Sequence, residues 1–281
     1  MRLVTYRRAG EVRHGRLTDD DRVVEFGDGD LEGYLDGRTG ETGRLEVAVA
    51  DVELLAPLLR PGKLLAAAAN YQDHVTESGA EPLDKTRLSP RLFLKPSTSI
   101  VGPDATIPLP AVSSEVDWEA ELAVVIGRRV RDIAEADALD AVAGYMTSND
   151  VSARSVDYGF PRDTDDKMVW FFDWLAGKWL DGFAPLGPWL VTADEVPDPQ
   201  ALSVHLDVNG VTKQTGSTKD MIFSVAELVA HASRLMTLEP GDVILTGTPS
   251  GVGAATGEFL KAGDVMTVVV GPLGQLRNTV A

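Results

Sequence analysis

Short apolar runs separated by turn residues dominate the start of the chain. Residues 3–6 and 23–26 have the composition of short strands, and Asp- and Gly-rich sequence follows them. Pro57 then interrupts the chain before the next apolar run. These signals predict a small β-rich N-terminal domain over residues 1–58 and a larger domain over residues 59–281.

Strand patterns continue through the larger domain. Residues 203–208 alternate between polar and apolar side chains and lead into Asn209-Gly210, a dipeptide that favours a tight hairpin turn. Residues 242–246 and 265–270 have the apolar, β-branched composition of two further strands.

Two segments have the pattern of helices. Residues 225–238 follow Ser224, and Glu227 three residues later completes a capping box. A second helix is expected over residues 133–142. Because strands outnumber helices, we predict an α+β fold that is predominantly β, with a mixed β-roll or barrel at its centre.

Residues 115–126 carry carboxylates within an otherwise apolar strand pattern. Glu119 and Glu121 are two positions apart, so in a strand they project from one face, roughly 6 to 7 Å apart. The apolar residues 122–126 indicate a strand covered on both faces, where an unpaired carboxylate is costly. A divalent cation between the two carboxylates would remove that cost. The alternative is an edge strand on which both carboxylates, like Asp117, face water.

Composition restricts the kind of protein. The 281 residues can bury a full core, and 44% hydrophobic and 25% charged residues are globular values. The sequence has neither an apolar run of membrane-spanning length nor a typical leader, so we expect a cytoplasmic protein. The net charge of −17 argues against nucleic acids and anionic membranes as partners. The absence of cysteine excludes disulfides, a thiolate nucleophile and Cys-ligated zinc.

A third carboxylate, Asp150, follows a strand-like run at a polar break. By itself this residue also suits a turn or a helix cap. Together with Glu119 and Glu121 it supplies the oxygen ligands that hard cations prefer. We therefore expect a bound Mg²⁺ or Mn²⁺ ion, with Ca²⁺ as an alternative.

His74 has the context of a catalytic group. Glu77 lies three residues later, so within a helical turn its carboxylate can contact the imidazole and orient it as a general base. The alternative is an exposed His–Glu pair at the start of a helix. The other three histidines, His14, His205 and His231, are expected to be solvated.

Several separate motifs together resemble the fumarylacetoacetate hydrolase family. They are Asn70-Tyr71 with His74 and Glu77, then residues 116–124 with both glutamates, then residues 148–154, Lys178, residues 185–188, and residues 246–249. The similarity extends over residues 60–275. Two features depart from the family pattern: Ala69 stands where glycine is expected, and the segment of residues 157–177 ahead of Lys178 is longer.

The resemblance implies a catalytic domain of the fumarylacetoacetate hydrolase C-terminal type, a mixed β-roll that is usually a homodimer. It also implies a divalent metal ion held by the residues that match Glu119, Glu121 and Asp150. Asp73 is a candidate fourth ligand by the same resemblance.

The resemblance also implies roles for individual side chains. His74, oriented by Glu77, would activate water, and Lys178 would stabilise developing negative charge. Arg154 and Thr248 match positions that contact substrate, and Lys178 would contribute to binding as well.

The expected reaction is hydrolysis of a carbon–carbon bond in a small anionic diketo acid, an acylpyruvate or a fumarylacetoacetate-like compound. It would proceed through a metal-chelated enolate and water activated by His74 and Glu77. The same enolate is reached in oxaloacetate decarboxylation or tautomerisation and in isomerisation of 2-hydroxyhepta-2,4-diene-1,7-dioate, so these activities remain alternatives. A non-enzymatic, metal-stabilised binding protein is a more remote one. A third carboxylate and nearby cations argue against a glycosidase that uses a carboxylate pair.

The segment of residues 157–177 joins a charged half to an aromatic half. It could form a lid over the site, which would select the substrate. Alternatively, its aromatic residues pack in the core or at a dimer interface.

Overall fold

The computed structural model of the protein describes residues 1–41, 43, 46–77 and 79–281. The strands of this part of the chain are β1 Arg2–Arg8, β2 Glu11–Leu17, β3 Arg22–Asp28, β4 Glu46–Ala48, β5 Glu53–Leu55, β6 Leu64–Ala68, β7 Arg91–Leu94, β8 Ile100–Val101, β9 Thr106–Ile107, β10 Val116–Asp117, β11 Ala120–Ile126, β12 Val142–Asn149, β13 Ser152–Ala153, β14 Ala184–Thr192, β15 Ser203–Val208, β16 Val211–Ser217, β17 Val243–Leu245, β18 Val265–Val270 and β19 Gln275–Val280. The α-helices are α1 Glu32–Leu35, α2 Gln72–Glu77, α3 Lys167–Ala176, α4 Val225–Leu235 and α5 Gly253–Thr256. Short 3₁₀ helices cover Val49–Asp51, Lys85–Arg87, Ser97–Ser99, Glu135–Ala141, Ala193–Glu195 and Thr218–Asp220.

The largest sheet joins 12 strands in the order β4-β3-β2-β1-β14-β12-β11-β17-β6-β7, with β5 also on β1 and β8 also on β14. The N-terminal strands belong to this sheet because β1 pairs antiparallel with β14, Arg2 opposite Val191. The predicted α+β, strand-rich fold is confirmed. The description as a barrel is corrected, because the order of strands in the described residues has two ends, β4 and β7, and does not close. The domain boundary between residues 58 and 59 stays a prediction.

Strand β11 lies at the centre of the molecule, and all of its residues are buried. Its side chains alternate between two apolar clusters: Leu122 and Val124 belong to the largest cluster, and Ala123 and Val125 belong to the second. The largest cluster also contains side chains of β15, β18 and α4, so it fills the space between the large sheet and the five-stranded sheet β16-β15-β18-β19-β9. The prediction of a strand covered on both faces is confirmed for residues 122–126.

The hairpin predicted at Asn209-Gly210 is present. Both residues have positive φ, 53° and 74°, as a two-residue turn between β15 and β16 requires. The strands predicted over residues 203–208 and 265–270 are confirmed, and the one expected over residues 242–246 is limited to Val243–Leu245.

The helix predictions are confirmed at one site and corrected at the other. Helix α4 begins after Ser224 with a complete capping box, but it ends at Leu235 because Leu238 pairs with Val130 in extended conformation. Residues 133–142 do not form an α-helix. A 3₁₀ helix covers Glu135–Ala141, and its N-terminus has no side-chain cap to support a regular α-helical turn. No helix in the described ranges is long and apolar enough to cross a bilayer.

The Ser224 cap gives a test of the local stability of α4. The Ser224 side chain accepts a hydrogen bond from the Glu227 N–H, and the Glu227 carboxylate accepts one from the Ser224 N–H. We expect Ser224→Ala to lower the free energy of unfolding by about 1 kcal/mol, measured by urea denaturation. Ser224→Asn, which keeps a capping oxygen, should lose clearly less, and equal losses in both variants would contradict this role of the cap.

Candidate metal and active site

Three acidic side chains converge at one end of the β11–β12 pair. Glu119 lies between β10 and β11, Glu121 is in β11, and Asp150 directly follows β12. The Asp150 N–H donates to the Glu119 carbonyl at 2.8 Å, and the Glu119 N–H donates to Asn149 Oδ1 at 2.8 Å, so the backbones are held together. One carboxylate oxygen from each acid lies within 4.8 Å of the others, and all three residues are buried. The alternative of an exposed edge strand is therefore wrong.

Buried cations surround these carboxylates. Lys178 Nζ donates to Glu119 Oε2 and to Asp150 Oδ2, both at 2.7 Å. Arg154 Nη2 donates to Glu119 Oε1 at 2.5 Å, and Lys95 Nζ donates to Asp150 Oδ1 at 2.5 Å. The cations compensate Glu119 and Asp150 directly, each through short charge-assisted hydrogen bonds.

The pKa values of the two glutamates shift in opposite directions. Burial by itself raises the pKa of Glu119, but the charges of Lys178 and Arg154 outweigh burial and hold that pKa below its ordinary value. Burial, together with the Asp150 and Glu119 carboxylates, raises the pKa of Glu121 well above its ordinary value. The charge of Glu121 is thus poorly compensated by the protein, although Gly247 N–H donates to its Oε2 at 2.7 Å.

This arrangement fits a hard divalent cation. The three acids supply an all-oxygen donor set, which Mg²⁺ and Mn²⁺ prefer. A cation next to Glu121 would also offset the buried charge that the protein leaves uncompensated. Asp73 lies outside this group: its side chain is exposed and accepts from Ser250 Oγ at 2.9 Å.

His74 and Glu77 form a pair on α2. His74 Nδ1 lies 2.6 Å from Glu77 Oε1, and Glu77 Oε2 accepts from the Gly251 N–H at 2.7 Å. With a proton on Nδ1 donated to Glu77, the imidazole Nε2 is left free to accept a proton. The predicted contact between the two side chains is confirmed.

A cavity of about 530 Å³ joins the pair to the acidic group. Its lining includes the predicted site residues His74, Glu119, Glu121, Arg154, Lys178 and Thr248. Glu77 and Asp150 lie behind this wall, each bonded to a residue that forms it. Thr248 is held in place because its hydroxyl donates to the Ala120 carbonyl and accepts from Gln214 Nε2, both at 2.8 Å.

Helix α3 forms an aromatic wall of the same cavity. Trp170, Phe171 and Trp174 line the cavity, yet none of the residues of α3 is buried. The alternative in which these aromatic residues pack in the core is therefore wrong. Arg162 ties the charged half of the segment to α3 through an ion pair with Asp173 at 2.6 Å.

Two groups that contribute to the site were missed in the sequence. Lys95 is fully buried beside Asp150, and its only sequence signal is a lysine at the end of an apolar run, just before a proline. Asp117 is buried and accepts from Arg154 Nε at 2.8 Å and from the Gly253 N–H at 2.6 Å. It therefore holds the guanidinium that reaches Glu119.

Two further points from the sequence concern His14 and Ala69, and burial and backbone conformation decide them. His14 is buried, with ring nitrogens next to Gly29 O and Thr39 Oγ1, so the expectation that it is solvated is wrong. Ala69, at the position where the family pattern has glycine, adopts φ +55°. This left-handed conformation explains why glycine is expected there.

Two family models and several known proteins are similar to this chain. The family model described as fumarylacetoacetate (FAA) hydrolase C-terminal matches residues 63–281, and a model described as Rv2993c-like, N-terminal, matches residues 1–57. The 2,4-didehydro-3-deoxy-L-rhamnonate hydrolase of Sphingomonas sp. (strain SKA58) is 38% identical over 288 residues, which cover 100% of this chain and 96% of that protein.

Relatives with other activities are also similar. The mitochondrial oxaloacetate tautomerase of Xenopus laevis is 44% identical over 233 residues, covering 82% of this chain and 69% of that protein. The solved structure of 2-hydroxyhepta-2,4-diene-1,7-dioate isomerase from Mycobacterium marinum is 36% identical with a TM-score of 0.78, covering 100% of this chain and 98% of that chain. With its buried Glu-Glu-Asp group and a family model that matches most of its length, the chain belongs to the fumarylacetoacetate hydrolase family.

Proposed function

We propose that the protein is a divalent-metal-dependent hydrolase that cleaves a carbon–carbon bond in a diketo acid, an acylpyruvate or a fumarylacetoacetate-like compound. One observation carries this proposal: His74, oriented by Glu77, lines the same cavity as the buried carboxylates. Hydrolysis needs a base for water, whereas tautomerisation and decarboxylation do not consume water. The similarity to a sugar-acid hydrolase supports the same class of reaction.

The metal site in this proposal consists of Glu119, Glu121 and Asp150, with Mg²⁺ or Mn²⁺ as the ion and Ca²⁺ as an alternative. A bound ion would act as a Lewis acid towards the oxygens of a 1,3-diketo or 2-oxo acid. Hydrogen bonds from Gly247 N–H to Glu121 and from Glu119 N–H to Asn149 hold the acids in place. Lys178 Nζ bridges Glu119 and Asp150, so it would have to move aside when a cation binds between them.

The water-activating pair works through its hydrogen bond. Glu77, held by Gly251 N–H, keeps the proton of His74 on Nδ1, so Nε2 can take a proton from water. In an acylpyruvate, the water oxygen adds to the C4 carbonyl carbon and the C3–C4 bond breaks. The overall reaction on an acylpyruvate consumes one water and releases a carboxylic acid and pyruvate, with a proton ending on C3.

Lys178 and Arg154 supply positive charge for the substrate carboxylate and for the developing anion. The Asp150 and Glu119 carboxylates outweigh the effect of burial and raise the pKa of Lys178, so its ammonium stays charged. Arg154 stays charged because Glu119 and Asp117 outweigh burial and raise its pKa as well. Thr248 contributes a fixed oxygen on the cavity wall.

The aromatic α3 segment is proposed as the lid of the cavity. Trp170 and Phe171 line the cavity while 62% and 43% of their surfaces remain exposed, so closure of α3 would bury them over a substrate. We further propose that the protein is a cytoplasmic homodimer that acts on small anionic substrates. Its net charge of −17 disfavours nucleic acids and anionic membranes as partners, so we propose that it binds neither.

Oxaloacetate tautomerisation or decarboxylation is a second candidate function. The 44% identity to an oxaloacetate tautomerase favours it. Such a reaction needs the acids Glu119, Glu121 and Asp150 and the cations around them, but it needs no pair of residues to activate water. The isomerase structure at 36% identity keeps double-bond migration in a dienedioate as a related alternative.

The first test is a parallel assay on acetylpyruvate and oxaloacetate. We expect the purified protein to release acetate from acetylpyruvate, to lose this activity in EDTA and to regain it with Mg²⁺ or Mn²⁺, because substrate activation requires the cation. Acetate is measured directly, and CO₂ and enol absorbance are followed on oxaloacetate. Release of CO₂ or enol–keto exchange without acetate would move the protein to the second candidate function.

The role of His74 is tested by His74→Gln. We expect kcat for acetylpyruvate hydrolysis to fall about 10²- to 10⁴-fold, because no base then accepts the proton of water. The matched control is His205→Gln, which changes a histidine of β15 that is paired with Asp207 of the same strand at 2.9 Å. A His74→Gln enzyme with nearly unchanged kcat would exclude this mechanism.

The fit of the cation is tested by Glu121→Gln without any activity measurement. A raised pKa means that folding favours protonated Glu121, so the folded state loses stability as the pH rises above the ordinary glutamate range. At neutral pH without metal, the variant should therefore melt above wild type. At a Mg²⁺ concentration of 100 times the wild-type Kd, the free energy of unfolding of wild type should rise by about 2.7 kcal/mol. That of the variant should rise less.

Exposed Glu135→Gln is the control for this charge change. It should shift the melting temperature little and leave the gain from Mg²⁺ intact. Equal gains from Mg²⁺ in wild type and Glu121→Gln would show that Glu121 does not bind the cation.

A further inference from the structure

Arg91 is a cation of the cavity wall that has no partner in the described chain. Three basic side chains other than histidine line the main cavity, namely Arg91, Arg154 and Lys178. Arg154 and Lys178 are held by carboxylates of the site. The side chain of Arg91 is exposed and makes no hydrogen bond or ion pair with the residues that the structure describes. Its guanidinium is therefore available to a ligand.

Strand β7 places Arg91 and Phe93 on one wall of the main cavity. Arg91 and Phe93 are two positions apart, so their side chains share a face of the strand, roughly 6 to 7 Å apart. The Phe93 ring lies 5.7 Å from Lys178 Nζ and packs edge-on against Trp174 at 5.2 Å. The wall thus runs from a cation at the carboxylate group, across an aromatic surface, to a second cation.

A smaller cavity of about 370 Å³ adjoins the first and limits where a second anion can bind. Ala69, His74, Arg91 and Arg154 line both cavities, so Arg91 stands at their junction. Beyond the junction the smaller cavity is lined by Glu81, whose charge repels an anion. A distal carboxylate is therefore favoured at Arg91, on the side of the main cavity.

We propose that Arg91 is a specificity-determining residue that binds a second, distal carboxylate, so that the substrate is a dicarboxylic acid. This inference rests on the proposed function, in which the 2-oxo acid end of the substrate binds at Lys178 and at the cation held by Glu119, Glu121 and Asp150. The part of the substrate between its diketo end and the distal carboxylate passes over Phe93 and Trp174, so this part is apolar or unsaturated. A planar guanidinium binds a carboxylate through two parallel hydrogen bonds, which gives the preference its strength.

The test uses binding, so it does not depend on turnover. Calorimetry with the full-length protein and Mg²⁺ compares 2-oxo dicarboxylic acids of six, seven and eight carbons with 2-oxo monocarboxylic acids of the same length. None of these compounds has the 4-oxo group that hydrolysis requires. In at least one pair, the Kd of wild type for the diacid should be lower than that for the monoacid by about 10-fold or more, as expected for a charged hydrogen bond.

Arg91→Gln should bring that ratio down towards one. Arg87→Gln is the matched control, because Arg87 is an exposed arginine on the neighbouring 3₁₀ helix and lines neither cavity. It removes the same charge and should keep the ratio. The inference is overturned if no diacid binds, if wild type does not prefer the diacid in any pair, or if Arg91→Gln weakens both members of a pair equally.

A kinetic comparison separates this inference from the proposed function. The pair is 2,4-dioxoheptanedioate and 2,4-dioxoheptanoate, which differ only in the distal carboxylate. Wild type should have the higher kcat/KM on the diacid, and Arg91→Gln should lose most of that difference. If neither compound is cleaved, the proposed hydrolysis fails, while the binding experiment still decides the role of Arg91.

Discussion

The structure depends on the burial of three carboxylates within a few ångströms of one another. Removing a charge from water costs several kcal/mol unless an opposite charge compensates for it. Lys178, Arg154 and Lys95 provide this compensation for Glu119 and Asp150, and Asp117 in turn fixes Arg154. Loss of one partner from such a buried pair typically costs about 3 to 5 kcal/mol. The site and the stability of the surrounding core are therefore coupled.

The same constraint explains why the carboxylate group lies at the end of the most buried strand pair. Strand β11 is covered by apolar clusters on both faces, so its position cannot shift without exposing core. The backbone hydrogen bonds of Glu119 then fix Asn149 and Asp150 relative to β11. A rigid scaffold of this kind would hold the three acids within the narrow tolerance that a hard cation requires.

Relatives that share this family include a hydrolase, an isomerase and a tautomerase. A divalent cation held by Glu119, Glu121 and Asp150 would act as a Lewis acid on the oxygens of a bound acid, and this does not by itself distinguish the three activities. We expect the difference to come from groups around these acids. In this chain the candidates are the oriented His74–Glu77 pair, which the proposed hydrolysis uses, and Arg91 with the aromatic α3 wall, which the proposed preference for a diacid uses.

Local spacing was enough to identify features that short-range physics controls. The Ser224 capping box, the Asn209-Gly210 turn, the buried β11 pattern and the His74–Glu77 contact all depend on residues close in sequence. The family motifs also pointed to the three acids. Long-range packing decided the rest: Lys95 meets Asp150 across 55 positions, Leu238 ends α4 by pairing with Val130, and burial encloses His14. Charge compensation and cavity shape depend on such distant contacts, which no local pattern encodes.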